Sequence, residues 1–215
     1  MASRPKKKSE ETYHHGDLRR SLVLAALRSI ERDGVDALSL RAVGRSLNVS
    51  PRAPYRHFAT KEELLAAVAV EGYAMWDSFL ASRIEGTTDP VARLRLVVEA
   101  YVAFAVAHPA AFRVMHAPYA SVAETAPELV RVRKEGLDGM LGAIREAQAK
   151  GDLRAGDPMH AALGLWSTMH GLAVLLIEGQ VARYDRPVDA TTLAKLVAEV
   201  LFEGLLRRQK GATTR

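Results

Sequence analysis

The sequence predicts an all-α fold of about nine helices, a small three-helix head followed by a larger helical bundle. Three observations predict it. Apolar residues recur at i, i+3, i+4 and i+7 almost throughout, and alternation of period two is rare. Asp89-Pro90 and Asp157-Pro158 each read as an N-cap followed by a proline at the first helical position. Glycines stand where helical runs stop, at Gly34 and Gly151.

The first nine or ten residues are polar and read as disordered. Leu18 to Asp33 is the first helix, with Val23, Ala26, Leu27 and Ile30 on one buried face. Ser39 caps a short second helix whose inner face carries Leu40, Val43 and Leu47. Asn48 suits a tight turn with positive φ. Ser50 caps a third helix with Pro51 at N1, ending near Phe58. Pro54 falls inside its first turn or just beyond, where it loosens one backbone bond. Thr60 and Glu63 have capping-box spacing and open a long helix to about Ile84. Further helices are expected from Pro90 to about Ala107, Pro127 to Lys150, Pro158 to about Glu178, and from Asp189 to before Gly211. Short helical or irregular structure lies between His108-Pro109 and Pro118. Arg207, Arg208 and Lys210 suit the last helix C-terminus.

The domain boundaries expected are a disordered basic arm over residues 1–15, a helix-turn-helix unit over 16–62 and a helical bundle over 63–215. The chain has 215 residues and no cysteine, which excludes disulfides and thiolate metal sites and fits a reducing cytoplasm. The densest apolar stretch, Gly171 to Ile177, is too short to span a bilayer, so no membrane partner is expected. No apolar segment follows the basic N-terminus as a secretory signal requires. Charge is unevenly placed. Residues 1–61 hold 13 Lys/Arg against 6 Asp/Glu, an excess of +7; the remainder holds 17 against 19, or −2. A polyanion partner for the first quarter and a solvated basic face both fit that imbalance.

Two short helices joined by a tight turn suit a reader element lying in a DNA major groove. In Ser39 to Phe58, Gly44 is the small residue where the third helix must approach closely. Val43, Leu47, Val49 and Phe58 can form a mini-core with the first helix, leaving Arg52, Ala53, Arg56 and His57 outward. From Leu18 to Leu65 the chain resembles the TetR family of bacterial regulators. Ala25-Ala26-Leu27, Gly34, Ser39/Val43/Gly44, Val49-Ser50, Tyr55-Arg56-His57-Phe58 and Lys61-Glu62-Glu63-Leu64 carry the likeness, in order and at the right spacing. Asn48 and Pro54 depart from the usual pattern.

The DNA-binding residues expected are Ser39, Arg41, Ser50, Arg52, Ala53, Tyr55, Arg56, His57 and Lys61. Arg52 suits a bidentate bond to guanine and Ala53 a thymine methyl. The hydroxyls of Ser39, Ser50 and Tyr55, with His57 and Lys61, suit phosphate contacts that set register. Ser39, Ser50 and Thr60 serve as caps with or without DNA, and Phe58 is core.

In the bundle, Trp166, Met169 and His170 share a helix face at i, i+3, i+4, and Tyr101 and Phe104 share another. With Met115 and His116 they are the candidate lining of a pocket for a small-molecule effector; plain core is the competing reading. Trp166-Ser167-Thr168-Met169-His170-Gly171 resembles the signature of a TetR subgroup with a WHG C-terminal domain. His108, His116, His160 and His170 lack metal-ligand spacing, so no metal and no cofactor are expected. No phosphate loop, nucleophile elbow or H-E-x-x-H is present, which argues against an enzyme.

These readings imply a sequence-specific DNA-binding transcriptional regulator, a homodimer relieved from a pseudo-palindromic double-stranded operator by an unidentified small molecule. Its last two helices would form the dimer, with Ala194, Val197, Ala198, Leu201 and Leu205 as a stripe and Gly164 and Gly171 as small contacts. The alternative is a helical DNA-binding or adaptor protein without sequence preference or effector.

Overall fold

The computed structural model describes residues 15–117, 126–183 and 189–205. Those residues form eight α-helices: α1 (His15–Asp33), α2 (Leu40–Ser46), α3 (Lys61–Ile84), α4 (Pro90–Ala107), α5 (Pro109–His116), α6 (Pro127–Lys150), α7 (Pro158–Ile177) and α8 (Ala190–Leu205). Short 3₁₀ turns occupy Pro54–Arg56 and Val181–Arg183. Lys6 to Lys8, Pro118, Arg207, Arg208 and Lys210 lie outside the described residues.

The stop and start signals act as the sequence implies. Gly34 is left-handed at φ +83°, and its N–H bonds the Ile30 carbonyl at 2.9 Å. Gly151 is left-handed at φ +79° after Lys150. The Asp89, Asp157 and Asp189 carboxylates accept the backbone N–H groups of Ala92, Met159 and Thr192 at 2.6, 2.8 and 3.0 Å. Each bond satisfies a donor that the helix cannot. At the start of α3, Thr60 accepts the Glu63 N–H at 3.2 Å. The Glu63 carboxylate reaches back to the Ala59 N–H at 2.7 Å, one residue before the cap itself.

The third helix is corrected. Residues 51–53 are a turn and only Pro54–Arg56 is helical, as a 3₁₀ segment. Proline has no N–H and its ring collides with the carbonyl four residues back, so the α-helical bond to Ser50 cannot form. The Ser50 carbonyl instead accepts the Ala53 N–H at 2.9 Å, and the tighter i→i+3 pattern continues through Arg56 and His57.

The chain divides into two compact units, at Leu64. In the first, Leu22, Ala26, Leu38, Val43 and Phe58 form a buried core. Leu47 and Val49 are only half-buried at its edge. In the second, α4 is the hub and packs against α5, α6, α7 and α8. Its buried residues include Leu94, Val98, Tyr101, Val102, Phe104 and Ala105, which do not fall on one face, as a surrounded helix requires. α7 packs on both α6 and α8.

α3 and α7 are each long and apolar enough, by length and composition, to cross a membrane, a span the Gly171–Ile177 stretch understates. α7 uses its inner face otherwise: Ala162, Leu165, Met169 and Ala173 are buried inside the bundle.

Candidate nucleic-acid interface and effector cluster

α2 and the turn after it present the candidate interface. The Ser39 hydroxyl accepts the Ala42 N–H at 3.1 Å, capping α2, and its own proton remains available to a phosphate oxygen. Asn48 takes φ +56°, which turns the chain within two residues of the helix end. Gly44 is the pivot of the packing. A Cβ there would stand 2.7 Å from Pro54 Cγ and 3.3 Å from Cδ. Pro54, buried on that bare backbone, therefore seats the reader turn against α2.

Arg41, Ser50, Arg52, Tyr55 and Arg56 are exposed, and Ala53, His57 and Lys61 are half-buried. The i→i+3 bonding sets Ala53 and Arg56 on one row and Pro54 and His57 on the next. From Ala37 to Lys61 the chain has five cations and no acid. Among the described residues none of the four arginines in that span forms an ion pair, so their charge is open to a polyanion. The Lys61 ammonium donates to the Asp36 carbonyl at 3.1 Å, which holds it beside the α1–α2 connection. Among the described residues the Ser50 hydroxyl makes no hydrogen bond. Arg45 escaped the sequence reading. It follows Arg41 by one turn on the exposed side of α2, and that i, i+4 spacing was the available signal.

The residues singled out in the bundle separate into two sets. Tyr101, His116 and His170 meet: the Tyr101 hydroxyl lies 3.0 Å from His116 Nε2 and 2.9 Å from His170 Nδ1. Trp166 tilts over His170 at 5.6 Å between ring centroids and is 44% exposed. Phe112 stacks on His170 at 5.4 Å. Trp76, which meets Tyr101 edge-on at 5.6 Å, did not stand out in the sequence. Phe104, Met115 and Met169 are buried core. Phe104 packs on Trp76 and Phe79. Met115 fills a notch on α3 where a Cβ on Gly72 would stand 2.7 Å from its Cγ.

Burial sets the protonation of this cluster. It pushes the His116 imidazole down to about 4, with His170 and the Arg133 guanidinium adding repulsion. It lowers His170 in the same sense and raises the Tyr101 phenol. All three groups are neutral at pH 7.

The head and the bundle define a helix-turn-helix DNA-binding regulator with a helical partner unit. Residues 22–68 match the family model described as bacterial regulatory proteins, tetR family. Residues 94–201, about half the chain, match the tetracyclin repressor-like C-terminal domain. A solved structure of a protein of unknown function from Rhodococcus sp. RHA1 is 33% identical, with a TM-score of 0.78 over 92% of this chain and all of that one. YobS of Bacillus subtilis strain 168, an uncharacterized HTH-type transcriptional regulator, is 25% identical over 91% of this chain and 96% of its own. HdnoR of Paenarthrobacter nicotinovorans, a nicotine-responsive transcriptional repressor, is 42% identical over 55 residues, 26% of this chain and 28% of its own. The chain belongs to the TetR family and is a sequence-specific DNA-binding transcriptional regulator.

Proposed function

We propose that the protein is a homodimeric, cytoplasmic repressor, without enzymatic activity, that releases its operator when a small molecule enters the bundle. The observation that carries this reading is α3. It is one uninterrupted helix whose first residue, Lys61, belongs to the reader and whose Tyr73 and Trp76 touch the rings of His116 and Tyr101. A ligand that displaces those rings acts on the helix whose first turn begins at Lys61. A coupling of about 1–3 kcal/mol changes operator affinity from several-fold to a hundredfold. HdnoR, similar in the reader region, is by name a ligand-responsive repressor.

Arg52 and Ala53 read base edges; Ser39, Arg41, Ser50, Tyr55, His57 and Lys61 hold phosphates; Arg56 serves either role. Residues 1–15 act as a basic arm, residues 16–62 as the reader and residues 63–215 as the effector and dimer unit. The dimer forms through α7 and α8. On α7 the outward face is Leu163, Gly164, Ser167, Gly171 and Leu175; on α8 it includes Leu196 and Val200, the latter 71% exposed. Ala194 and Ala198 of the expected stripe face inward instead, beside buried Phe202.

The test selects duplexes from a random pool with the full chain, then titrates the selected site with and without a library of small apolar molecules. A two-fold site whose affinity falls with one ligand supports the reading. Equal affinity for selected and random duplex supports the adaptor alternative, and a selected site that no ligand affects marks a constitutive binder.

A further inference from the structure

On α6 the acids from Glu128 to Asp138 are paired with cations other than Arg133. On α6, Arg131 takes both Glu128 and Glu135, each at 2.6 Å, and Lys134 takes Asp138 at 2.7 Å. The acids of that stretch are thereby neutralised by their neighbours. Arg133, two residues from Arg131, is half-buried, and among the described residues it pairs with no carboxylate. One of its N–H groups, on Nη2, donates to the Met115 carbonyl at 2.8 Å, which fixes the guanidinium at the end of α5, next to His116. It also lies beside the Tyr73 hydroxyl, the residue whose ring meets His116 edge-on at 6.3 Å. Asp77, one turn further along α3, is exposed to solvent.

A guanidinium has five donors in a planar fork. A half-buried one without an anion is an unusual arrangement, because interior charge is ordinarily paired. The surroundings fit the other half of a ligand. Trp166 and Phe112 both lie against the His170 ring, at interplanar angles of 39° and 25°, and Trp166 is open to solvent. Both imidazoles are neutral, so they offer ring faces and hydrogen bonds without repelling an apolar body. Arg133 repels a cation.

From this we infer that the effector is an organic acid, a carboxylate on a flat ring-sized apolar body. Its carboxylate pairs with Arg133 and the Tyr73 hydroxyl, and its ring lies among Trp166, His170 and Tyr101. The inference rests on the bundle being the effector site, as proposed above.

The experiment follows Trp fluorescence of the full chain during titration with three series of aryl probes: carboxylates (benzoate, phenylacetate, 1-naphthoate), their amides, and the corresponding amines. Carboxylates should bind best and amines worst. Arg133→Gln should weaken the carboxylates about ten- to a hundredfold, the worth of a hydrogen-bonded charge, while leaving the amides unchanged. Arg133→Lys should restore part of the loss, and Lys150→Gln, a surface cation paired with Glu146 on the same helix, should change nothing. Circular dichroism confirms that each variant is folded. Amides or amines binding as tightly as acids, acids failing to saturate at about 10 mM, or an acid preference that survives Arg133→Gln each overturns the inference. The same probes are added to the selected operator complex. An amine or amide that releases DNA leaves the repressor reading standing and removes the acid; an acid that binds without releasing DNA does the reverse.

Discussion

Replacing Gly44 with alanine sets two effects of opposite sign against each other. Gly→Ala inside a helix stabilises by about 1 kcal/mol through backbone entropy. Here the new methyl would stand 2.7 Å from Pro54 Cγ, closer than carbon atoms approach. Pro54 is buried and its ring is tied to the backbone at both ends, so it cannot rotate away as a long side chain would. Forcing a methyl into a filled contact of this kind costs about 1–3 kcal/mol. The clash exceeds or matches the helical gain, so Gly44→Ala alone should lower stability by up to about 2 kcal/mol. With Pro54→Ala the ring is gone, and adding Gly44→Ala should then stabilise by about 1 kcal/mol. The double-mutant cycle therefore predicts a coupling of about 1–3 kcal/mol. Amide hydrogen exchange of Val43 and Leu47 reads the local stability of the reader, and urea denaturation reads the whole. A coupling near zero, with Gly44→Ala stabilising in both backgrounds, would refute the argument that this glycine exists to seat Pro54.

The remaining predictions concern binding, pH and assembly. Arg52→Ala should relax base preference at one operator position, whereas Lys61→Ala should weaken all duplexes alike and lower the salt slope by roughly 1; filter binding across salt concentrations separates them. His116 stays neutral in the fold down to about pH 4, while in the unfolded chain it protonates near its ordinary 6.5. Between those values only the unfolded state gains the proton, so stability should fall as pH drops from about 6.5 to about 4 and level off below. The gap is worth about 3 kcal/mol, His170 adds in the same direction, and His116→Gln should flatten denaturation midpoints measured across that window. Val200→Asp places a charge on the outward face of α8 and should shift sedimentation toward monomer; an unchanged dimer would move the interface elsewhere.

The helix ends were legible because capping is local. Asp89, Asp157 and Asp189 act within three residues of themselves, and Gly34 and Gly151 act through their own φ. Pro54 was less so. Its missing N–H could be read from the sequence, but its seat on Gly44 lies ten residues away and depends on the turn between. In the bundle, residue type identified Tyr101, His116 and His170 but could not separate them from Phe104, Met115 and Met169. The pairs that matter are 15 and 69 residues apart, and helical period says which residues share a face, not which face meets which. α8 shows the same limit: Ala194 and Ala198 fill the stripe next to Leu196 and Val200, and only packing decides that the small pair goes inside.

A hydroxyl carries one proton, and that limits what Tyr101 can do with two neighbours. It can donate to one imidazole only, so it must accept an N–H from the other. His116 and His170 are therefore held in opposite roles at the nitrogens facing Tyr101. Turning the hydroxyl around exchanges both roles together, which requires each ring to move its proton to its other nitrogen. The cluster thus has two self-consistent hydrogen-bond directions and no intermediate one. A molecule that takes or offers a hydrogen bond at one imidazole selects a direction for the other, across the width of the tyrosine.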